Sequence, residues 1–174
     1  MIVFFGAGCN SHHPEEGESP YVGQEGREIK SLTDREVQGY LNGEGMGLSK
    51  VAELNNFPGP KHVIELSDQL DLTEAQLSQT EMLFEEMKKH STTLGQQYIS
   101  AERELNNIFE HSDVDSAQVD SLISKIGMLH AKIRATHVQA HLKMEKLLSG
   151  QQIDRYQELR GYRDERHQHQ MGND

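Results

Sequence analysis

Two histidines four residues apart, His137 and His141, have the spacing that lets two side chains on one helix share a ligand, because positions i and i+4 project from the same face. Imidazole nitrogen is the most common protein ligand for transition metals. His130 lies two turns earlier on the same side. If the chain folds back near residue 113, residues equidistant from that point face each other. His90 then comes opposite residue 136 and Glu86 opposite residue 140, while Met144 faces Met82 and Met87 faces residue 139. On this arithmetic His90, Glu86, His137 and His141 converge, with thioethers nearby. Imidazole with carboxylate suits zinc, nickel or cobalt, and thioether favours copper(I). The competing reading makes these histidines spacers beside a heptad stripe and the methionines core filler. His12 and His13 are adjacent in a polar tail where nothing fixes their geometry, and His62 and His111 have no partner that spacing supplies.

Other chemistries find less support. Gly43, Gly45 and Gly47 precede a short helical stretch, as in loops that cradle phosphate, but no strand comes before them and no Gly-Lys-Ser/Thr follows. The sole cysteine is Cys9, no Ser-His-Asp set can be placed, and a long open hairpin is expected to offer no enclosed pocket in which to tune a carboxylate. The expectation is a binding protein and not an enzyme.

The elements that must position these residues are helices. Thr33 is a good N-cap, with Asp34 and Glu36 in the first turn of a helix running towards Leu41, and Asn42-Gly43 ends it. A second short helix passes through Ala52 and is broken by Pro58-Gly59-Pro60; from Lys61, Val63, Ile64, Leu66 and Leu70 suit an amphipathic helix. Thr73 caps the next, with Gln76 at the capping-box position three residues on. Leu77, Thr80, Phe84, Met87, Ser91, Leu94, Tyr98, Ala101, Leu105 and Ile108 then recur at steps of three and four, a stripe roughly 55 Å long at 1.5 Å per residue. After a break at residues 111–115 the spacing resumes through Val119, Leu122, Ile126, Leu129, Ile133, His137 or Thr136, Ala140, Met144 and Leu147. The connection is short, so the two helices must pack antiparallel. Ser149 caps a last helix, with Gln152 three residues on. The predicted fold is all-α: a long antiparallel helical hairpin with shorter flanking helices.

Composition agrees. The chain has 174 residues, 34% hydrophobic, with a mean hydropathy of −0.72, as long helices with wet faces require. A net charge of −11 repels phosphate backbones, so no nucleic-acid partner is expected. Residues 1–28 read as a signal-like leader and a Gly/Pro/Ser/Glu-rich tether, 29–162 as the helical domain and 163–174 as a polar tail. The run Ile2-Val3-Phe4-Phe5-Gly6-Ala7-Gly8 before Cys9 resembles the end of a bacterial lipoprotein signal, which implies lipidation of Cys9. It departs from that pattern in its short apolar run, in lacking a preceding Lys or Arg, and in having Gly6 where Leu is usual.

Leu72-Thr73-Glu74-Ala75-Gln76 and Leu148-Ser149-Gly150-Gln151-Gln152 are LTxxQ and LSxxQ motifs flanking the long hairpin. Over about residues 61 to 162 the chain resembles the LTxxQ family of bacterial periplasmic proteins, which holds the Spy/CpxP-like chaperones and heavy-metal resistance proteins. The block GMGLSKVAELNNFPGPKHVIEL resembles a subgroup of periplasmic heavy-metal sensors. The resemblance implies a cradle-like homodimer in the periplasm that senses a transition metal. It also allows an ATP-independent holdase for unfolded client proteins, or a regulatory partner that docks on a membrane-bound signalling protein and is released by metal. The strong acidity departs from Spy-like chaperones, whose cradle carries basic as well as apolar patches.

Overall fold

The computed structural model describes residues 19–111 and 114–163. Cys9, His12 and His13 and the tail from residue 164 lie outside the described residues. Among the described residues six helices account for the regular structure: α1 (Asp34–Leu41), α2 (Lys50–Glu53), α3 (Pro60–Glu65), α4 (Glu74–Glu110), α5 (Ser116–Leu147) and α6 (Gly150–Leu159). The fold is all-α, with α4 and α5 packed as a long hairpin. No helix among the described residues is long and apolar enough to cross a membrane.

Helix starts follow from the caps. Thr33, Thr73 and Ser149 each accept a hydrogen bond from the backbone N–H three residues on, and Glu36, Gln76 and Gln152 return the bond to the cap's own N–H. The two glutamines go further. The Gln76 Nε2 donates to Gln152 Oε1 at 2.9 Å and the Gln152 Nε2 donates to Gln76 Oε1 at 3.1 Å, an amide pair joined by two bonds. Their remaining Nε2 hydrogens go to the Leu147 carbonyl at 2.9 Å and the Leu70 carbonyl at 3.2 Å. Four segments meet in this one network: the approach to α4, the start of α4, the end of α5 and the start of α6.

Two apolar clusters fill the hairpin's seam. One gathers Ile29, Leu32 and Tyr40 against Leu94, Tyr98, Leu129 and Ile133; the other gathers Val63, Leu70 and Leu83 against Ala140, Met144 and Tyr156. The first forms because α1 lies on α4, and Gly95 makes that approach possible: a Cβ there would overlap the Tyr40 carbonyl oxygen. Residues 19–28, the end of the expected tether, run as turns held to α4 where Glu28 meets Arg103 at 2.7 Å. Between the clusters the chain from Asn42 to Gly59 crosses the hairpin, and His137 and His141 sit beneath it.

The amide network generates a stability prediction. Gln152→Ala removes a reciprocal cap and leaves the Gln76 amide and the Leu70 carbonyl short of partners, a loss of about 2–3 kcal/mol. Thermal unfolding should drop by roughly 5–10 °C at this chain length. Because Gln76 and Gln152 share bonds, the double alanine variant should cost clearly less than the sum of the singles. Strict additivity in a double-mutant cycle would show that the pair is incidental.

Candidate metal centre

His137 and His141 are 3% and 7% exposed, an unusual place for two imidazoles unless each is partnered. His141 is: its Nδ1 lies 2.8 Å from the Phe57 carbonyl oxygen, with Glu53 Oε2 behind at 3.6 Å. That fixes the ring through Nδ1. The Nε2 edge turns towards Gly59, where an added Cβ would stand 3.2 Å from the nitrogen. His137 differs. Its Nε2 is buried and has no hydrogen-bond partner, while its Nδ1 edge lies under Gly45. Burial, and next the charge of His141, lower its pKa from the ordinary 6.5 to about 4. At neutral pH the His137 imidazole is therefore uncharged and keeps a free lone pair.

Both rings line a cavity of about 960 Å³, roofed by the Gly43–Gly47 loop and walled by α3 and by Phe84, Met87 and Thr92 of α4. The loop is held close to α4. Gly43 has φ +67, and a Cβ there would come within 2.7 Å of the Lys88 carbonyl oxygen, so only glycine fits. Met46 is also left-handed at φ 41, a conformation that strains a residue with a Cβ, and its thioether packs on Gly39. The short N-terminal helices and their connecting loop supply a roof that two helices alone lack, and the cavity beneath it stays partly open to solvent.

Glu53 sits behind the histidines with its side chain only 12% exposed. Its Oε1 accepts from the Tyr156 hydroxyl at 2.5 Å and the Tyr162 hydroxyl at 3.2 Å, and Arg160 Nε stands 3.5 Å away. Tyr156 is fully buried, and burial together with the Glu53 carboxylate raises its pKa above the ordinary phenol value. One carboxylate thus links His141 of α5 to α6 and the residues just past it.

The other expected ligands lie elsewhere. His90 and Glu86 do flank residues 136 and 140, as the folding arithmetic requires, but in a separate depression shared with Leu83, Gln139 and Lys143. Glu86 Oε2 is 3.8 Å from Lys143 Nζ. The register is correct and the rotation is not: residues 136, 139 and 143 turn to one side of the hairpin, whereas 137 and 141 turn under the glycine loop. His130 stacks against Tyr40 and Tyr98, with centroids 6.3 and 5.9 Å apart. Met144 is fully buried in the second apolar cluster, and Met82 is exposed. Among the described residues, no three His, Cys, Asp or Glu side chains are grouped closely enough to hold an ion as a set. The donors assembled at the cavity are His137 and His141, with Met46 and Met87 also among the residues that line it. Spacing could not find Glu53, Phe57 or Gly59; the nearest signal was the run of glycines before α2.

No protein-family model, no curated protein and no solved structure matches the chain.

His137 also makes stability depend on pH. With a folded pKa near 4 against 6.5, the unfolded chain binds the extra proton first, so the full contribution is present above pH 6.5 and is lost as pH falls towards 4. The loss should be about 2–3 kcal/mol by the linkage relation. Urea titrations of wild type and His137→Gln at pH 7.5 and 4.5 measure it: the variant should lose less stability on acidification by that margin. Equal losses would mean that His137 is not held neutral.

Proposed function

We propose that this protein is a transition-metal sensor of the LTxxQ kind, in which His137 and His141 are the metal ligands. One observation carries the reading. His141 is anchored through Nδ1 to the Phe57 carbonyl with Glu53 behind it, an anchoring that fixes an imidazole ring and leaves its other nitrogen for an ion. His137, one turn away, is uncharged and has a buried nitrogen without a partner. Such a nitrogen costs about 1–3 kcal/mol unless something binds it. A zinc, nickel, cobalt or copper ion is the ligand that two imidazole nitrogens one helical turn apart fit.

In this reading the protein's own part is to hold two imidazoles in place, exclude bulk water with the glycine loop, and report occupancy. The reporter is Glu53: any shift of the His141 ring bears on a carboxylate that also holds Tyr156, Tyr162 and Arg160. The output is a change in how α6 and the chain after it sit. The resemblance supplies the setting, a periplasmic homodimer lipidated at Cys9 that meets a membrane-bound signalling protein and has no catalytic role.

The second reading, a holdase for unfolded clients, draws on the outer end of the hairpin. Phe109, Val114, Ile123 and Met128 are each about half or more exposed there, and apolar surface of that kind can shield a client.

Calorimetric titration with zinc, nickel and copper separates the two. Wild type should bind at least one with micromolar or tighter affinity, and His137→Ala/His141→Ala should weaken it at least 100-fold while suppressing client aggregation as wild type does. No binding of any of the three ions overturns the sensor. Failure to delay aggregation of an unfolded client at equimolar protein overturns the holdase.

A further inference from the structure

A site made for one bare cation should be small and should draw positive charge inwards. This cavity does neither. Its volume of about 960 Å³ is at the upper end of the range for small-molecule pockets, whereas an ion held by imidazole nitrogens at about 2.0–2.1 Å fills one corner of it. Its rim carries Lys50, Lys61 and Lys88 against the single carboxylate of Glu44, since Glu53 and Arg160 face each other at 3.5 Å. Among the described residues neither Lys50 nor Lys88 has a carboxylate within ion-pair distance, and Lys61 reaches Glu65 only at 3.9 Å. In a chain of net charge −11 these lysines give the rim a local excess of positive charge, above a floor that holds the His137 and His141 rings.

A cationic mouth over a cation-binding floor repels a free dication and attracts an anion. The two requirements are met together by a ligand that is anionic as a whole and has a metal at its centre. We propose that the cavity takes its transition metal as a complex with a small carboxylate chelator, the metal on His137 and His141 and the chelator's outward carboxylates on the lysine rim. The proposal rests on the reading of the two histidines as metal ligands. Two imidazole nitrogens leave the other positions of a four- or six-coordinate ion open, and a di- or tricarboxylate fills them without a further protein ligand. Entry is ligand exchange: as each imidazole nitrogen binds, a water or chelator oxygen leaves. The glycine roof suits a guest of this size, because Gly43, Gly45 and Gly47 bring backbone and no side chains to that wall.

Equilibrium dialysis of the full chain against nickel(II) or zinc(II), radiolabelled citrate, and each metal with citrate tests this. Citrate should be retained about one-to-one with metal when metal is present, and at least tenfold less without it. Lys50→Ala/Lys88→Ala should lower citrate retention at least tenfold while leaving affinity for the metal supplied alone within about twofold. His137→Ala/His141→Ala should remove both ligands. Metal retained from the metal–citrate mixture with no citrate beside it overturns the chelate and leaves the sensor standing. Citrate retained equally without metal overturns the chelate by making the cavity an anion site. Retention of neither ligand overturns both readings.

Discussion

Gln76 and Gln152 are 76 positions apart in the chain, and each caps its own helix; their amides also meet. Everything at that end of the molecule depends on the meeting. Leu83 and Met144 pack in the second apolar cluster at the end away from the hairpin's connection, and the starts of α4 and α6 beyond them must be closed separately. The amide pair closes them by binding the start of α4 to the start of α6 and using the spare hydrogens to hold the carbonyls of Leu70 and Leu147. Each bond contributes only about 0.5–1.5 kcal/mol net. A part-buried network with every donor used is nevertheless costly to open at one point, because the partners left behind cannot all reach water. The LTxxQ and LSxxQ motifs therefore have a mechanical meaning here: Thr or Ser starts the helix, and Gln both completes the cap and binds the other motif.

Once α6 is fixed, Tyr156 is driven fully into the second apolar cluster with its hydroxyl aimed at Glu53. Glu53 belongs to a four-residue helix that could not persist alone, since a single turn forms too few bonds to offset nucleation. It is held from outside, by Tyr156, Tyr162 and Arg160 on one side and His141 on the other. Losing one partner of a carboxylate so enclosed costs more than the contact itself contributed, because the charge stays behind. The order of dependence runs from amide pair to α6, from α6 to Glu53, and from Glu53 to the orientation of the His141 ring. The histidine site is thus coupled through Glu53 and α6 to the paired helix starts.

Much of this was legible in the sequence, for local reasons. Caps are written in three or four residues, so the starts of α1, α4 and α6 could be read at Thr33, Thr73 and Ser149; the hairpin register could be read too, since His90 does stand beside Thr136. What could not be read is rotation about the helix axis. A stripe of period three and four defines one face, but Leu83, Ile99 and Glu102 are buried on a second face of α4 by segments whose docking no periodicity announces. The same blindness joined His90 and Glu86 to His137 and His141: equal height along a hairpin does not mean the same side. Glu53 was invisible because α2 is too short to have a pattern. The cavity was invisible because its roof is loop.

His137 occupies a position where the stripe of α5 asks for an apolar side chain, between Ile133 and Ala140, and both neighbours are buried as the pattern requires. A leucine there would fill the seam without a stranded nitrogen. The imidazole leaves Nε2 unpartnered and adds a penalty on acidification. His141 sits one turn on with its ring locked, and Met46 strains its backbone in the loop overhead. The stranded nitrogen of His137 and the strained backbone of Met46 meet at one cavity, whereas the unpartnered atoms of Ser91, Asn106 and Gln157 and the left-handed Asp71 lie elsewhere. No packing requirement on the hairpin asks for an imidazole at 137 in place of leucine, and a buried nitrogen that costs stability beside a second, anchored imidazole is the pattern expected where binding and not folding dictates the residue.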